Sequence, residues 1–516
     1  VHADDSPIMD IVANRTLRDQ WEELAQHHAL DTFLVHEDPE GRVTASTYGE
    51  FGARIIRAAN LLRGLGVLPG DCVGVHLGNS PQQIECLFAL AVIGAVAVPL
   101  HPRATAVECA RILGRVDARL VVCEPEVRPE EGYPPGIRVL VARDCSTGED
   151  SYCAQRDRQQ DTLVDPVALS SDDPAVIVFS SGSTAEPKAV VLTHANLLFS
   201  GIFVTWQSAM TGQDRLLTTM PACHVNFVLN ALMPVLTVGA CLVAVERYSA
   251  RKFWAQVKDH DATVVQAIST IARTMLLQPP ASDDRDHRVR EVLYYLPISD
   301  EEKVAFVERF GVRLLNSYGT SETLVGVLTD PPVGPRRWPS IGRVGLGYEA
   351  RIAGPDGQEL AAGEHGEIQI KGVPGRTLMA GYHGDPVATA EVYTDDGWFR
   401  TGDVGWVDED GWFFFVDRLS HFIKRAGENV SPGEVEEALT AHPEIAQAAV
   451  VGVPDSLHDE AVKAFVVLRP GSCLSVTEIQ GWAASRLSDF KVPSLVEVVD
   501  ALPLTTTFKV AKSALS

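Results

Sequence analysis

The sequence predicts an α/β fold: a large N-terminal domain of mainly parallel sheets, a β-rich subdomain, and a small α+β domain at the C-terminus. Three observations carry this. Helical patterns alternate with short Val/Ile/Leu runs over most of about the first four hundred residues, which is how parallel sheets joined by crossover helices read. Near Gly342 the texture changes to short strands separated by Gly/Asp turns. After Arg418 comes a compact run of helix, strand, strand and helix. The boundary between Asp417 and Ser420 gives domains of 1–418 and 419–516. A chain of 516 residues, 46% of them hydrophobic, is long enough for two domains and a large core.

The elements follow in order. Leu17 to His27 is amphipathic, and Tyr48 to Leu65 repeats apolar residues at helical spacing, ending near Gly64 and Gly66. Val73 to Leu77 reads as a strand, Gln82 to Ile93 as a helix, and Ala95 to Val98 as a strand closed by Pro99. Ala175 to Phe179 and Ala189 to Thr193 are strands flanking a polar loop. Ala350 to Ala353, Glu367 to Ile370 and Trp412 to Val416 form the β-rich part. Pro432 to Ala441 and Val476 to Leu487 are helices, with strands at Gln447 to Val453 and Ala464 to Leu468. No internal repeat and no low-complexity tract is present.

Net charge is −24, which argues against a phosphate-backbone footprint and so against nucleic acid as a partner. Nine cysteines lie scattered, without a C-x-x-C pair or zinc spacing. They read as buried thiols in a reducing, cytoplasmic setting. The first residues lack the basic and apolar regions of a signal peptide. The apolar stretches Cys86 to Leu100 and Val228 to Val245 read as helix–turn–strand units, the first too short and the second too interrupted to span a bilayer.

The chemistry gathers in a few segments. Ser180, Ser181, Gly182, Ser183, Thr184, Ala185, Glu186, Pro187 and Lys188 make a hydroxyl-rich loop between strands. It offers N–H groups, hydroxyls and one ammonium to a polyphosphate. The G-x-x-x-x-G-K-[ST] spacing is absent, so it is not a Walker A loop. Tyr318-Gly319-Thr320-Ser321-Glu322, Thr401-Gly402-Asp403, Asp417-Arg418 with Ile423-Lys424 and Gly427, and Lys509 follow in the chain. In that order they resemble the motifs of adenylate-forming enzymes: acyl-CoA synthetases, nonribosomal adenylation domains and luciferases. Within that superfamily the chain most resembles crotonobetaine/carnitine-CoA ligases. Lys252-Phe253-Trp254, Arg336 to Gly345, and Gly427-Glu428-Asn429-Val430-Ser431 carry this closer likeness.

The resemblance implies an AMP-forming ligase that uses ATP and Mg²⁺ to activate a small acid, with ATP between the large domain and a small mobile one, and CoA as a possible acceptor. Ser181, Ser183, Thr184 and Lys188 would hold the β- and γ-phosphates. Glu322 would coordinate Mg²⁺, Ser321 would bond the α-phosphate, and Tyr318 would stack on adenine. Asp403 and Arg418 would take the ribose, and Lys509 would bridge the attacking oxygen and the α-phosphate. Lys424 belongs to the hinge segment, and His224 lies beside the expected acyl pocket. Plainer readings stand next to these. Asp403 fits a turn, Glu322 fits the first turn of a helix opening at Ser321, His224 fits a structural role, and Lys512 competes with Lys509.

Some positions depart from the family pattern. Ala185 and Ala189 add methyls around the phosphate loop, Ser420 stands at the hinge, Ala426 adds bulk where CoA ligases have Gly, and Phe508 precedes Lys509. Tyr294-Tyr295 replaces a small segment. These departures keep three readings open. The first is a carboxylate–CoA ligase. The second keeps adenylation but activates nitrite for transfer to an aryl amine (a diazotase), or forms an amide. The third is a non-catalytic nucleotide-binding relic.

Overall fold

Trp21 gathers Phe33, Phe51 and Phe88 around its ring. The Trp21 ring centroid lies 5.1 Å from Phe33, 5.9 Å from Phe51 and 5.2 Å from Phe88. This aromatic knot locks the helices Leu17–His27, Tyr48–Gly64 and Pro81–Val92 over the strand Thr32–Glu37. Each of the first two helices opens on a threonine capping box, at Thr16 and Thr47. In this computed structural model, residues 10–142, 151–180, 187–295, 298–324, 326–419, 423–425, 428–455, 459–487, 491–504 and 510–515 are described.

The chain forms two compact units. The first comprises residues 1–349 and 370–399, the second 350–369 and 400–516. The boundary after Arg418 therefore falls inside the second unit. Among the described residues, the first unit carries a nine-stranded and a seven-stranded sheet. In the larger sheet, Leu314–Tyr318, Glu291–Tyr295, Val264–Ile268, Arg215–Thr218, Cys241–Val245 and Thr32–Glu37 run parallel, with antiparallel strands at both edges. In the smaller, Arg138–Val141, Leu120–Cys123, Cys72–His76, Val96–Pro99 and Pro174–Ser180 are parallel, and Lys188–Thr193 and Gly381–Tyr382 close it antiparallel. Parallel strands buried on both faces account for the continuous apolar runs in the sequence.

The second unit holds a four-stranded sheet that includes Phe399–Val407 and Phe413–Arg418. A further sheet is built around the antiparallel pair Ile445–Asp455 and Asp459–Leu468. Helices Pro432–Thr440 and Val476–Ala484 cover that pair through Val435, Leu439, Ile479 and Ala483. Both apolar stretches resolve as helix then strand, ending in Val96–Pro99 and Cys241–Val245. No helix among the described residues is long and apolar enough to cross a membrane. The thiols depart from the expectation in two places: Cys223 is half-buried and Cys473 is exposed.

Candidate active site

In the first unit, the strands Pro174–Ser180 and Lys188–Thr193 form a hairpin in which Ser180 pairs with Lys188. Lys188 therefore stands at the mouth of the polar loop. Ser181, Gly182, Ser183, Thr184 and Ala185, and the Ser180 side chain, lie outside the described residues. Ala189 is buried in a regular antiparallel strand, opposite Phe179, and belongs to the core cluster of this sheet.

The Lys188 ammonium lies over the face of Tyr382, 4.7 Å from the ring centroid. The Tyr382 hydroxyl donates to Glu322 Oε1 at 3.0 Å. Tyr382 reaches this place because the short strand Gly381–Tyr382 pairs with Lys188–Thr193, Tyr382 opposite Val190. The backbone bonds Ala380 N to Val191 O and His383 N to Ala189 O, at 3.0 and 2.8 Å, extend the ladder. Glu322 is tied from the same side by Met379 N, which donates to its carbonyl at 2.9 Å. Burial, and then the Glu322 charge, push the Tyr382 phenol well above its ordinary range. The same two causes push Tyr393 up to about 12. Both phenols therefore stay protonated, and Tyr382 is the one that donates to Glu322.

Ser321 and Glu322 lie in a turn, which corrects the expectation of a helix opening there. Thr320 N donates to Thr323 Oγ1 at 2.8 Å and Thr323 N to Thr320 Oγ1 at 3.3 Å, so the side chains close the turn locally. Leu324 at φ +62° then stops any helical continuation. The Tyr348 hydroxyl, 3.0 Å from Thr323 O and 2.7 Å from Thr377 O, fastens the loop. Tyr318 ends the strand leading into it, and Gly319 follows.

In the second unit, Asp403 and Arg418 face each other across adjacent strands, Arg418 Nε lying 3.0 Å from Asp403 Oδ1. Asp403 is 3% exposed, so it is not a plain surface turn residue. Gly402 at φ +71° lets the strand bend into place. Its N–H donates to Glu367 Oε1 at 3.2 Å, and Thr401 Oγ1 donates to Ile368 O at 2.7 Å. Asp417 accepts from Gly433 N at 3.0 Å, at the start of the helix Pro432–Thr440. Lys512 pairs with Glu436 at 2.7 Å. Lys509 lies outside the described residues. Lys424 lies on the strand Ile423–Arg425, its side chain outside the described set, as are Ser420, Ala426 and Phe508.

His224 is exposed and caps a short helix, its Nδ1 accepting from Asn226 N at 3.1 Å. Asn226, Asn230, Gln266 and Thr218 form a buried neutral network beside it. Tyr294 and Tyr295 are 3% and 9% exposed, on a central strand. They are core residues more than walls of an open, flat pocket. The distinctive stretches also serve the scaffold. Trp254 donates to Asp284 O at 2.8 Å, and Arg336 forks onto Glu291 at 2.6 and 2.9 Å.

Sequence reasoning missed Tyr382 and Tyr393. A two-residue strand carries no periodicity, so only pairing with Lys188–Thr193 reveals Tyr382. Among the described residues no group of three or more His, Cys, Asp or Glu side chains could hold a metal ion. Glu322 is the carboxylate beside Lys188 and Tyr382 in the described set. One oxygen accepts from Tyr382, and no hydrogen bond from a described residue reaches the other. Such a lone carboxylate suits Mg²⁺, which keeps waters and shares its shell with substrate phosphates.

Known proteins match over the whole length. The model of the AMP-binding enzyme family matches residues 18–383, and that of the AMP-binding enzyme C-terminal domain matches 434–509. A crotonobetaine/carnitine–CoA ligase of Salmonella paratyphi B is 44% identical, covering 98% of this chain and all of that protein. The ligase of the same name from Escherichia coli is 45% identical over the same shares. Among solved structures, ATP-bound MatB from Rhodopseudomonas palustris superposes with a TM-score of 0.87 at 25% identity, covering 97% and 98% of the two chains. The o-succinylbenzoate CoA synthetase MenE of Bacillus subtilis, with its acyl-adenylate intermediate, gives 0.85 at 25% identity over 98% of each.

Proposed function

Because the chain belongs to the AMP-binding enzyme family, we propose that it is an ATP-dependent, AMP-forming acyl-CoA ligase acting on a small carboxylic acid. The single observation that carries this is end-to-end similarity to CoA ligases at 44% identity, joined to retention of Lys188, Glu322, Asp403, Arg418 and Lys509. The nitrite and amide alternatives are not favoured, because the relatives are named for thioester formation. The relic reading has no support from the charged groups, which are kept together.

In the first half-reaction the acid's carboxylate oxygen attacks the α-phosphorus. The P–O bond to pyrophosphate breaks, and the electron pair leaves with pyrophosphate. Lys188 and the loop Ser181–Thr184 would hold the β- and γ-phosphates, whose charge they offset. Ser321 would donate to the α-phosphate and Tyr318 would stack on adenine. Asp403, beside Arg418, would accept from the ribose hydroxyls. Glu322 would hold Mg²⁺, which when bound neutralises phosphate charge. Lys509 would meet the charge that grows on the α-phosphate oxygens. In the second half-reaction the segment from residue 419 reorients. The CoA sulfur then attacks the acyl carbon, and AMP leaves with the electrons of the cleaved C–O bond. The thiol proton passes to solvent.

The experiment is pyrophosphate release from Mg-ATP with a panel of small aliphatic and aryl acids, and nitrite in parallel, before and after CoA is added. A carboxylate that stimulates release and yields a thioester with CoA is the expected result. Stimulation by nitrite alone would overturn it.

A further inference from the structure

Lys188 and Glu322 carry opposite charges and both touch Tyr382, yet neither takes part in an ion pair with a described residue. Left to themselves, an ammonium and a carboxylate on neighbouring elements attract and neutralise each other. Here each has a neutral partner instead: the lysine has the ring face, the glutamate the phenol hydroxyl. The tyrosine is itself fixed. It is 7% exposed, its strand is hydrogen-bonded to Lys188–Thr193, and its N–H donates to Thr389 Oγ1 at 2.9 Å.

We propose that Tyr382 is a positioning residue of the adenylation step, a neutral spacer that keeps Lys188 and Glu322 close together but unpaired. This rests on the adenylation reading above. The lysine then keeps its full charge for phosphate, and the glutamate keeps an oxygen for Mg²⁺. The two contacts use different parts of the side chain, so they separate by substitution. Tyr382→Phe keeps the ring and loses the hydroxyl. Tyr382→Leu loses both.

The test is calorimetric binding of ATP with and without Mg²⁺, on wild type, Tyr382→Phe, Tyr382→Leu, Glu322→Gln and the Tyr382→Phe/Glu322→Gln double variant, with melting curves for each. For Tyr382→Phe, the Kd for metal-free ATP stays within about twofold, while the Mg²⁺ concentration for half-saturation rises about fivefold or more. For Tyr382→Leu, metal-free ATP itself binds about tenfold more weakly, as the lysine is released. In the Glu322→Gln background the phenylalanine substitution adds no further loss, because the hydroxyl acts through that carboxylate. A Tyr382→Phe enzyme with unchanged Mg²⁺ dependence overturns the proposal. So does a Phe defect that persists undiminished beside Glu322→Gln, or equal losses in Phe and Leu variants that track a lowered melting temperature. Wild type that binds no Mg-ATP would sink the adenylation reading itself, a different result from any of these.

Discussion

Asp403 is buried where a plain turn aspartate would be exposed. At 3% exposure, and 3.0 Å from Arg418, its carboxylate is buried beside a cation, which limits its freedom. An acceptor so limited has less freedom to lose when substrate arrives, which lowers the entropy cost of binding. Asp403→Asn keeps the shape and removes the charge. Losing charge-assisted hydrogen bonds costs about 1.5–3 kcal/mol, or roughly 10- to 100-fold in ATP affinity. Calorimetry with ATP measures it, and an unchanged Kd would remove Asp403 from the ribose role. Lys509→Ala has the opposite profile. A group that meets charge only as it develops lowers the rate and spares binding. Single-turnover pyrophosphate release should slow by about a thousandfold, with ATP Kd within about threefold. Equal loss of rate and binding would contradict the assignment.

At the scale of elements, the hairpin that ends at Lys188 has a second strand that runs straight into the helix His194–Ser208. That helix packs on Met233–Val238 at Gly201. A Cβ there would stand 2.2 Å from Thr237 Oγ1 and 2.7 Å from the carbonyl of Met233. The hydroxyl can rotate away but the carbonyl cannot, so the helices must separate. Gly201→Ala should destabilise the protein by about 1–3 kcal/mol despite alanine's better helix propensity. Urea denaturation reads this directly, and an unchanged or raised midpoint would show that the helices can part without cost. The same hairpin explains why Tyr382 escaped the sequence reading. Its strand is two residues long and is defined only by its partner. The turn at Ser321–Leu324 escaped for a related reason: reciprocal threonine bonds outweigh the helical reading of Ser-Glu, and only three-dimensional geometry shows them.

At the scale of the whole molecule, acid sensitivity follows from two fully buried histidines. Burial lowers His76 and His194 from an ordinary 6.5 to about 4. His76 bonds Tyr133 and the His101 carbonyl, and His194 accepts from Leu17 N, which joins the first helix to the one after the phosphate hairpin. The folded chain keeps both neutral where the unfolded chain would protonate them. Their stabilisation is complete above about pH 6.5 and is lost as pH falls towards 4, by up to about 3 kcal/mol for each ring. Urea midpoints should fall across that window. A His194→Gln variant, whose amide oxygen can still accept from Leu17 N, should show a shallower fall. An identical slope in that variant would exclude the histidine as a source.

The sequence alone determined the α/β class, the order of the helices and strands assigned from it, and the line of motifs from Ser180 to Lys509. These are local properties: hydrophobic period, capping residues and short signatures are written in neighbouring positions. Tertiary structure alone decided which residues meet. It set Tyr382 between Lys188 and Glu322, buried Asp403 on Arg418, turned Ala189 into the core and gave Lys512 to Glu436. It also grouped residues 350–369 with 400–516, across the boundary that chain texture marked. Those contacts join positions up to two hundred residues apart. They form because sheets pair distant strands, and no local pattern encodes that pairing.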